Sequence, residues 1–480
     1  MALETTTSWP TEAWQEQVVA LVRKQVWYLR RPVLMPATHL RRDLGLDLCE
    51  RVQLGIRLEY GLGIEIPDTE IAQWQTLAEV LDCVHRHLPT PVARQHPNIS
   101  YNPMKYPETP LTPTPAAFAP PVRYTPEVEQ IPGDEPETIS QIGRMMVQMA
   151  EQVRAQQGQA MRATHAKATG LLKGELVVAP NLPPELAQGM FAQPVRYDVL
   201  ARFSQGPSNP VTDKASGQRG LSLKVLGVEG PHVAGSREIT TQDWVLAPDP
   251  AFINATAAGF LTNFRFGASN TPGLPEAAIV GLSYAARGVE AALETVGLSV
   301  GTLKLLGREP LHPIGHAYYS QTPSRYGDYL AKVAAFPTPE TLTILGNPHL
   351  DTSHDDNAFR TAMSQFFAQH GASFELRVQL CTNLATMPIE DASVVWPEAQ
   401  SPYRTVARLS FPPQATFSEA RYRYFEQRLA FNPLHALEAH RPLGGIQRAR
   451  GAVYRQTQDF RQHTNQVVAT EPFSAHEVPE

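Results

Sequence analysis

Thirteen prolines fall between positions 89 and 136, and they divide the chain. Proline fixes its own φ and lacks an N–H, so a run this dense leaves no room for a helix or a central strand. Such a segment is extended and stiff, and serves as a spacer or as an arm laid over a neighbour. Tyr101, Tyr106, Phe118 and Tyr124 are too apolar for a freely solvated linker, so part of the arm is expected to pack on a surface. A chain of 480 residues exceeds one ordinary domain. The proline block therefore separates a small unit, 1–88, from a large one, 137–470, which is followed by a tail, 471–480.

The apolar share of 42% and charged share of 18% are those of a globular protein. A net charge of −6 argues against nucleic acid or an anionic membrane as a partner. Cys49, Cys83 and Cys381 are odd in number and have no metal-like spacing, which argues against a disulfide framework and for a reducing compartment. The first residues have neither a basic nor an apolar signal region, and no apolar run reaches transmembrane length. The expected location is the cytoplasm.

In the small unit, Trp14, Val18, Val22 and Val26 recur at helical spacing, and so do Val52, Ile56 and the run 58–60. Leu77, Val80, Leu81 and Val84 mark a last helix within 71–88. The run Asp43-Leu-Gly-Leu-Asp47-Leu48, followed by Gly61-Leu-Gly-Ile-Glu-Ile-Pro-Asp68, resembles an acyl carrier protein. In that family a Ser after the second Asp carries the phosphopantetheine arm. Here the position is Leu48, which has no nucleophile, and Arg41, Arg42, Arg51 and Arg57 stand where carriers present carboxylates. The resemblance implies a small all-α carrier-like bundle used for packing, dimerisation or docking on a partner protein rather than as a working carrier.

The large unit opens with a helical stripe, Ile139, Ile142, Met146, Met149 and Val153. Strand-like runs follow at 171–179, 197–203, 221–228, 243–246, 373–381 and 405–411, with helical stretches near 251–261, 277–296, 357–370 and 417–430. No Gly-rich phosphate loop follows a strand, and no repeat is visible. The expected class is α+β, a mainly antiparallel sheet closed as a β-barrel with surrounding helices.

Near the end, 450–461 reads as a helix in which Arg450, Tyr454 and Arg461 fall on one face. Two flanking cations favour the ionised phenol, and a phenolate suits ferric iron as an axial ligand. The same spacing also describes a packed Tyr beside two solvated arginines. Upstream stand Arg162-Ala-Thr164-His165-Ala, Arg202-Phe-Ser204, Arg219-Gly, and Tyr424-Phe-Glu-Gln-Arg-Leu-Ala-Phe-Asn-Pro433. Together with 450–461, and in this order, these stretches resemble the catalase family over roughly 138–465.

That resemblance implies a b-type haem. It makes His165 the distal acid–base group on bound peroxide, with Ser204 beside it. It makes Arg162, Arg202 and Arg461 partners of the haem propionates, Tyr454 the axial iron ligand, and Arg450 the cation that keeps Tyr454 ionised. The strand that supplies a distal Asn in catalases carries Ala247 and Pro248 here, so hydrogen peroxide dismutation is not expected to be high. Thr164 is a feature shared with allene oxide synthases, which act on fatty-acid hydroperoxides. A closer likeness is to small bacterial catalase-like haem proteins, in the runs Tyr318-Tyr-Ser-Gln-Thr-Pro, Arg325-Tyr-Gly-Asp-Tyr, Met387-Pro-Ile-Glu-Asp-Ala and His440-Arg-Pro-Leu-Gly.

The expected function is a haem-dependent peroxidase-type oxidoreductase acting on hydrogen peroxide or on an organic or fatty-acyl hydroperoxide, in a homo-oligomer. The alternatives are a haem-binding or haem-sensing protein with little turnover, and a docking scaffold in a biosynthetic complex. His312 and His316 are separated by Pro313 and Gly315, which break any helix between them and argue against a zinc pair. His349, Asp351 and His354 are expected in a solvated loop.

Overall fold

The computed structural model describes residues 119–270 and 309–480, short gaps at 207–208, 216 and 234–238 aside, most of 34–88, and scattered positions between 14 and 22. Val26, Asp47, Leu48, Tyr101, Tyr106, Phe118 and the helix expected at 277–296 lie outside the described residues. The chain divides into two compact units, and the division falls inside the proline-rich segment, between Tyr106 and Pro107.

In the N-terminal unit, α1 spans Asp68–Ile71 and α2 spans Leu77–His87. Thr76 caps α2 through a capping box with Glu79, which satisfies donors that the first turn leaves open. The stripe Leu77, Val80, Leu81 and Val84 is buried as its spacing predicts. It joins Val18, Val22, Leu40, Leu54, Leu58, Ile71 and Trp74 in one core.

In the larger unit, α3 (Glu135–Gln157) starts with Pro in its first turn and stops at Gly158, whose φ of 75° only a residue without Cβ adopts easily. Among the described residues nine strands follow: β1 (Lys167–Val178), β2 (Arg196–Gln205), β3 (Arg219–Leu226), β4 (Thr241–Leu246), β5 (Tyr318–Tyr319), β6 (Ser324–Tyr326), β7 (Tyr329–Pro337), β8 (Ala372–Leu380) and β9 (Arg404–Phe411). Their order is β4-β3-β2-β1-β9-β8-β7-β5, with β6 on β7, and every pairing is antiparallel. The two edges meet where Ala247 and Tyr319 exchange backbone hydrogen bonds of 2.9 and 2.7 Å. That bridge brings the sheet round into a barrel and removes the open edges that a flat sheet would expose. Leu172, Phe203, Leu223, Val333, Phe374, Leu376 and Leu409 fill its interior.

All six expected strands form. β5, β6 and β7 were not expected, because β7 is buried almost throughout and its sequence shows no alternation of apolar and polar residues. The helix expected at 251–261 is a correction: residues 251–256 are irregular, and the helix α4 runs Ala257–Asn270. The remaining helices are α5 (Pro339–Leu345), α6 (Ala358–Phe367), α7 (Glu419–Arg423), which continues into a π-turn at Tyr424–Arg428, and α8 (Gly445–Asn465). α8 lays Ala449 and Val453 against Ile142, Met146 and Ala150 of α3 and Ala257 and Leu261 of α4. This three-helix contact sits beside β4 and forms one wall of the site described below.

The end of the proline-rich arm packs on the barrel. Val122 and Tyr124 donate backbone hydrogen bonds to Cys381 and Asp328, and both side chains cover the cluster around Trp396. Among the described residues no helix is long and apolar enough to cross a membrane.

Candidate functional site

Between α8 and the strands β2–β4 lies a cleft with two lobes, of about 760 and 900 Å³ of empty volume. Thr164, His165, Val245, Leu246, Val453 and Tyr454 border both lobes. Tyr454 is half-buried on α8. Arg461, seven residues on, lines one lobe, and Arg450, four residues back, lines the other. The helical spacing therefore does what it predicts, placing all three side chains along one cleft.

His165 sits just ahead of β1 with φ of 54°, a left-handed conformation that is costly for a residue with a side chain. Its N–H donates to the Gly206 carbonyl at 2.9 Å, and its carbonyl accepts from Arg202 at 2.7 Å, so β2 holds it from both sides. The imidazole Nδ1 lies 3.2 Å from Ser204 Oγ, which reaches the Gly220 carbonyl at 3.5 Å. When the hydroxyl donates to this carbonyl it accepts from the ring, and in that tautomer the proton is on Nδ1 and the lone pair on Nε2. Burial, then the charges of Arg202 and Arg450, push His165 down to about 3, so the ring is a neutral base at physiological pH.

Gly220 pairs with Ser204 across β2 and β3, and this register puts its α-carbon against the ring. A Cβ there would stand 2.7 Å from both Cε1 and Nδ1 of His165. Gly220→Ala is expected to lower stability by about 1–3 kcal/mol through overpacking, read as a lower urea midpoint with an unchanged slope.

The arginines converge on a residue the sequence reading passed over. Glu426 accepts from Arg202 at 2.5 and 3.0 Å and from Arg162 at 3.1 Å. It reaches them from the π-turn, where Leu429 N–H bonds Tyr424 five residues back, and such turns concentrate at functional sites. Its signal in sequence was a lone acid in the aromatic run 424–431. Burial raises the Glu426 carboxyl, but Arg202 and Arg162 pull it further down, and the net direction is below the ordinary value.

Arg461 is 4% exposed and gives one bond, at 3.4 Å, to the Leu429 carbonyl. Its Nε has no partner among the described residues. Burial first, and then Arg162, push its guanidinium down to about 9. Three guanidinium groups thus face one carboxylate at this end of the cleft, a local excess of positive charge that an anion would relieve.

At the other end Arg450 donates to Gln321 Oε1 at 3.2 Å and lies over the Phe252 ring at 5.0 Å. Gln321 is 2% exposed with φ of 65°, and its own amide donates to the Ala251 carbonyl at 2.9 Å. It too went unassigned in the sequence, although it lies in the run 318–323. Of Ala247 and Pro248, Ala247 lines the cleft beside His165 and offers no side-chain donor. Ile142, Phe252, Ala257, Phe260 and Ile446 make most of this lobe apolar. Outside the cleft, His312 is buried, whereas His349, Asp351 and His354 are exposed.

Burial drives three histidines of this unit down: His165 and His440 to about 3 and His312 to about 4, from an unfolded value of 6.5. Between pH 6.5 and those values the unfolded chain binds protons that the folded chain refuses. Stability therefore rises with pH across that window and falls on acidification, by up to ~1.4 kcal/mol per pH unit for each histidine. The urea midpoint is expected to drop clearly from pH 7 to pH 5.

No family model matches the chain, and no curated protein matches it. Among solved structures it is similar to a fungal catalase, at 19% identity and a TM-score of 0.47 over 64% of this chain and 60% of that one. Catalase A from Saccharomyces cerevisiae matches at 17% identity and a TM-score of 0.45, over 64% of this chain and 62% of the other. A bacterial catalase matches at 14% identity and a TM-score of 0.45, over 76% and 67%. The chain spans about three-fifths of the length of the first two.

Proposed function

We propose that the barrel unit is a haem-dependent, peroxidase-type oxidoreductase that acts on hydrogen peroxide or on an organic or fatty-acyl hydroperoxide. One observation carries this reading: Tyr454 and His165, 289 positions apart in the chain, border the same cleft, which ends in three arginines around one buried carboxylate. A haem needs an axial donor, a largely apolar slot and cations for two carboxylates. Tyr454 offers the first, and Met146, Val245, Leu246, Phe431 and Val453 the second. Arg162, Arg202 and Arg461 offer the third, and the unpartnered Nε of Arg461 is a donor waiting for an acceptor. When bound, haem supplies the iron-centred electron transfer that breaks a peroxide O–O bond.

The residues have separable tasks. His165 takes the hydroperoxide proton at Nε2 and returns it to the departing oxygen, while Ser204 at Nδ1 holds the ring in the tautomer this requires. Arg450, held by Gln321, supplies positive charge beside Tyr454. The apolar lobe around Phe252 and Phe260 suits the organic end of a hydroperoxide.

Ala247 favours a second reading, a haem-binding or haem-sensing protein with little turnover, because it gives His165 no second donor for orienting peroxide. Absorption spectroscopy of the haem-loaded protein separates the two. A peroxidase changes spectrum on mixing with hydroperoxide and then oxidises a chromogenic donor. A sensor does neither.

A further inference from the structure

The N-terminal unit holds a second cluster of reactive side chains, independent of the cleft. α2 carries Cys83 and His87 one helical turn apart, and α1 brings Glu70 up to both. Cys83 Sγ lies 3.4 Å from Glu70 Oε2, and His87 Nε2 lies 3.2 Å from Glu70 Oε1. One donor atom from each of the three lies within 4.8 Å of the others.

We propose that Cys83, His87 and Glu70 form a zinc site, with water as the fourth ligand. Bonds of roughly 2.0–2.3 Å in a tetrahedron set ligand atoms roughly 3.3–3.7 Å apart; Glu70 stands at about that distance from each partner through a different oxygen, and the three donor atoms have to close in from within 4.8 Å. Thiolate and imidazole together select zinc over the hard cations magnesium and calcium. The Cys83 thiol is 1% exposed, whereas the Glu70 and His87 side chains are 28% and 25% exposed. The cluster is therefore rooted in the core and open to water on one side.

Thiolate and carboxylate balance the charge of the dication. Arg86, 2.8 Å from Glu70 Oε2 and 62% exposed, can stay on the carboxylate oxygen that zinc does not take, or turn out to solvent. In the metal-free form Cys83 donates its S–H to Glu70. On binding, the S–H bond breaks, its proton leaves to solvent, and zinc bonds form to sulfur, to Nε2 and to one oxygen, with the imidazole proton on Nδ1. Affinity therefore rises with pH.

The test uses the full chain, stripped with a chelator, dialysed against zinc and counted by elemental analysis, with melting followed at increasing zinc. One zinc per chain and a zinc-dependent rise in melting temperature are expected. Cys83→Ser and His87→Ala should each weaken binding by more than the roughly 10–100-fold that loss of an outer-shell partner costs, while Arg86→Ala should retain it. If Cys83→Ser fails to fold, His87→Ala, at the end of α2, decides alone. Equal zinc binding by wild type and His87→Ala overturns the site, and so does a wild type that retains no zinc.

Discussion

A Tyr454→Phe protein is expected to lose the native haem spectrum and at least roughly two orders of magnitude of hydroperoxide turnover, the scale seen when a group acting directly on the reaction is removed. Phe keeps the ring, so α8 should still pack through Ala449 and Val453 against Ile142 and Met146, and the fold should persist by circular dichroism. What disappears is the phenol oxygen of a residue that borders both lobes of the cleft. Haem content should fall but not vanish, because in the proposed site Arg162, Arg202 and Arg461, which line the same lobe, would still offer cations to the propionates. Absorption spectra of the reconstituted variant and wild type check the result. An unchanged spectrum with full haem content would remove Tyr454 from the iron and with it the central assignment.

His165→Gln is expected to act on the other side, with the opposite signature. The resting spectrum should change little, while kcat/KM for hydroperoxide falls by roughly 10²–10⁴, the usual contribution of a positioned acid–base group. Gln retains a polar end near Ser204 but cannot take and return a proton. Because burial and Arg202 hold His165 at about 3, the wild-type rate should show no acid limb from this residue between pH 7 and pH 5. Rapid mixing at both pH values reads this directly. A His165→Gln enzyme with wild-type kcat/KM would make the histidine structural and move the proton transfer elsewhere.

Much of this was legible before any fold was known, for physical reasons that can be named. Helical periodicity is local, so the common face of Arg450, Tyr454 and Arg461 could be read from spacing alone. The strand runs that became β1–β4, β8 and β9 alternate or run apolar over short windows, and they formed as expected. β7 did not announce itself, since a strand buried throughout carries no period of two.

By itself the sequence pointed to a proline-rich arm between a small unit and a large one, and to a larger unit that mixes helices with an antiparallel sheet. These properties depend on neighbours a few positions apart. Only the tertiary structure decided what those residues touch. Ser204 meets His165, and Gly220 leaves room for the ring, because of the β2–β3 register. Glu426 reaches Arg162 and Arg202 across more than 220 positions through a π-turn, and Gln321 reaches Arg450 from the far edge of the barrel. Ala247 and Tyr319 close the sheet with backbone groups that every residue possesses. Such contacts depend on how distant segments are folded together, and no local pattern of side chains encodes them.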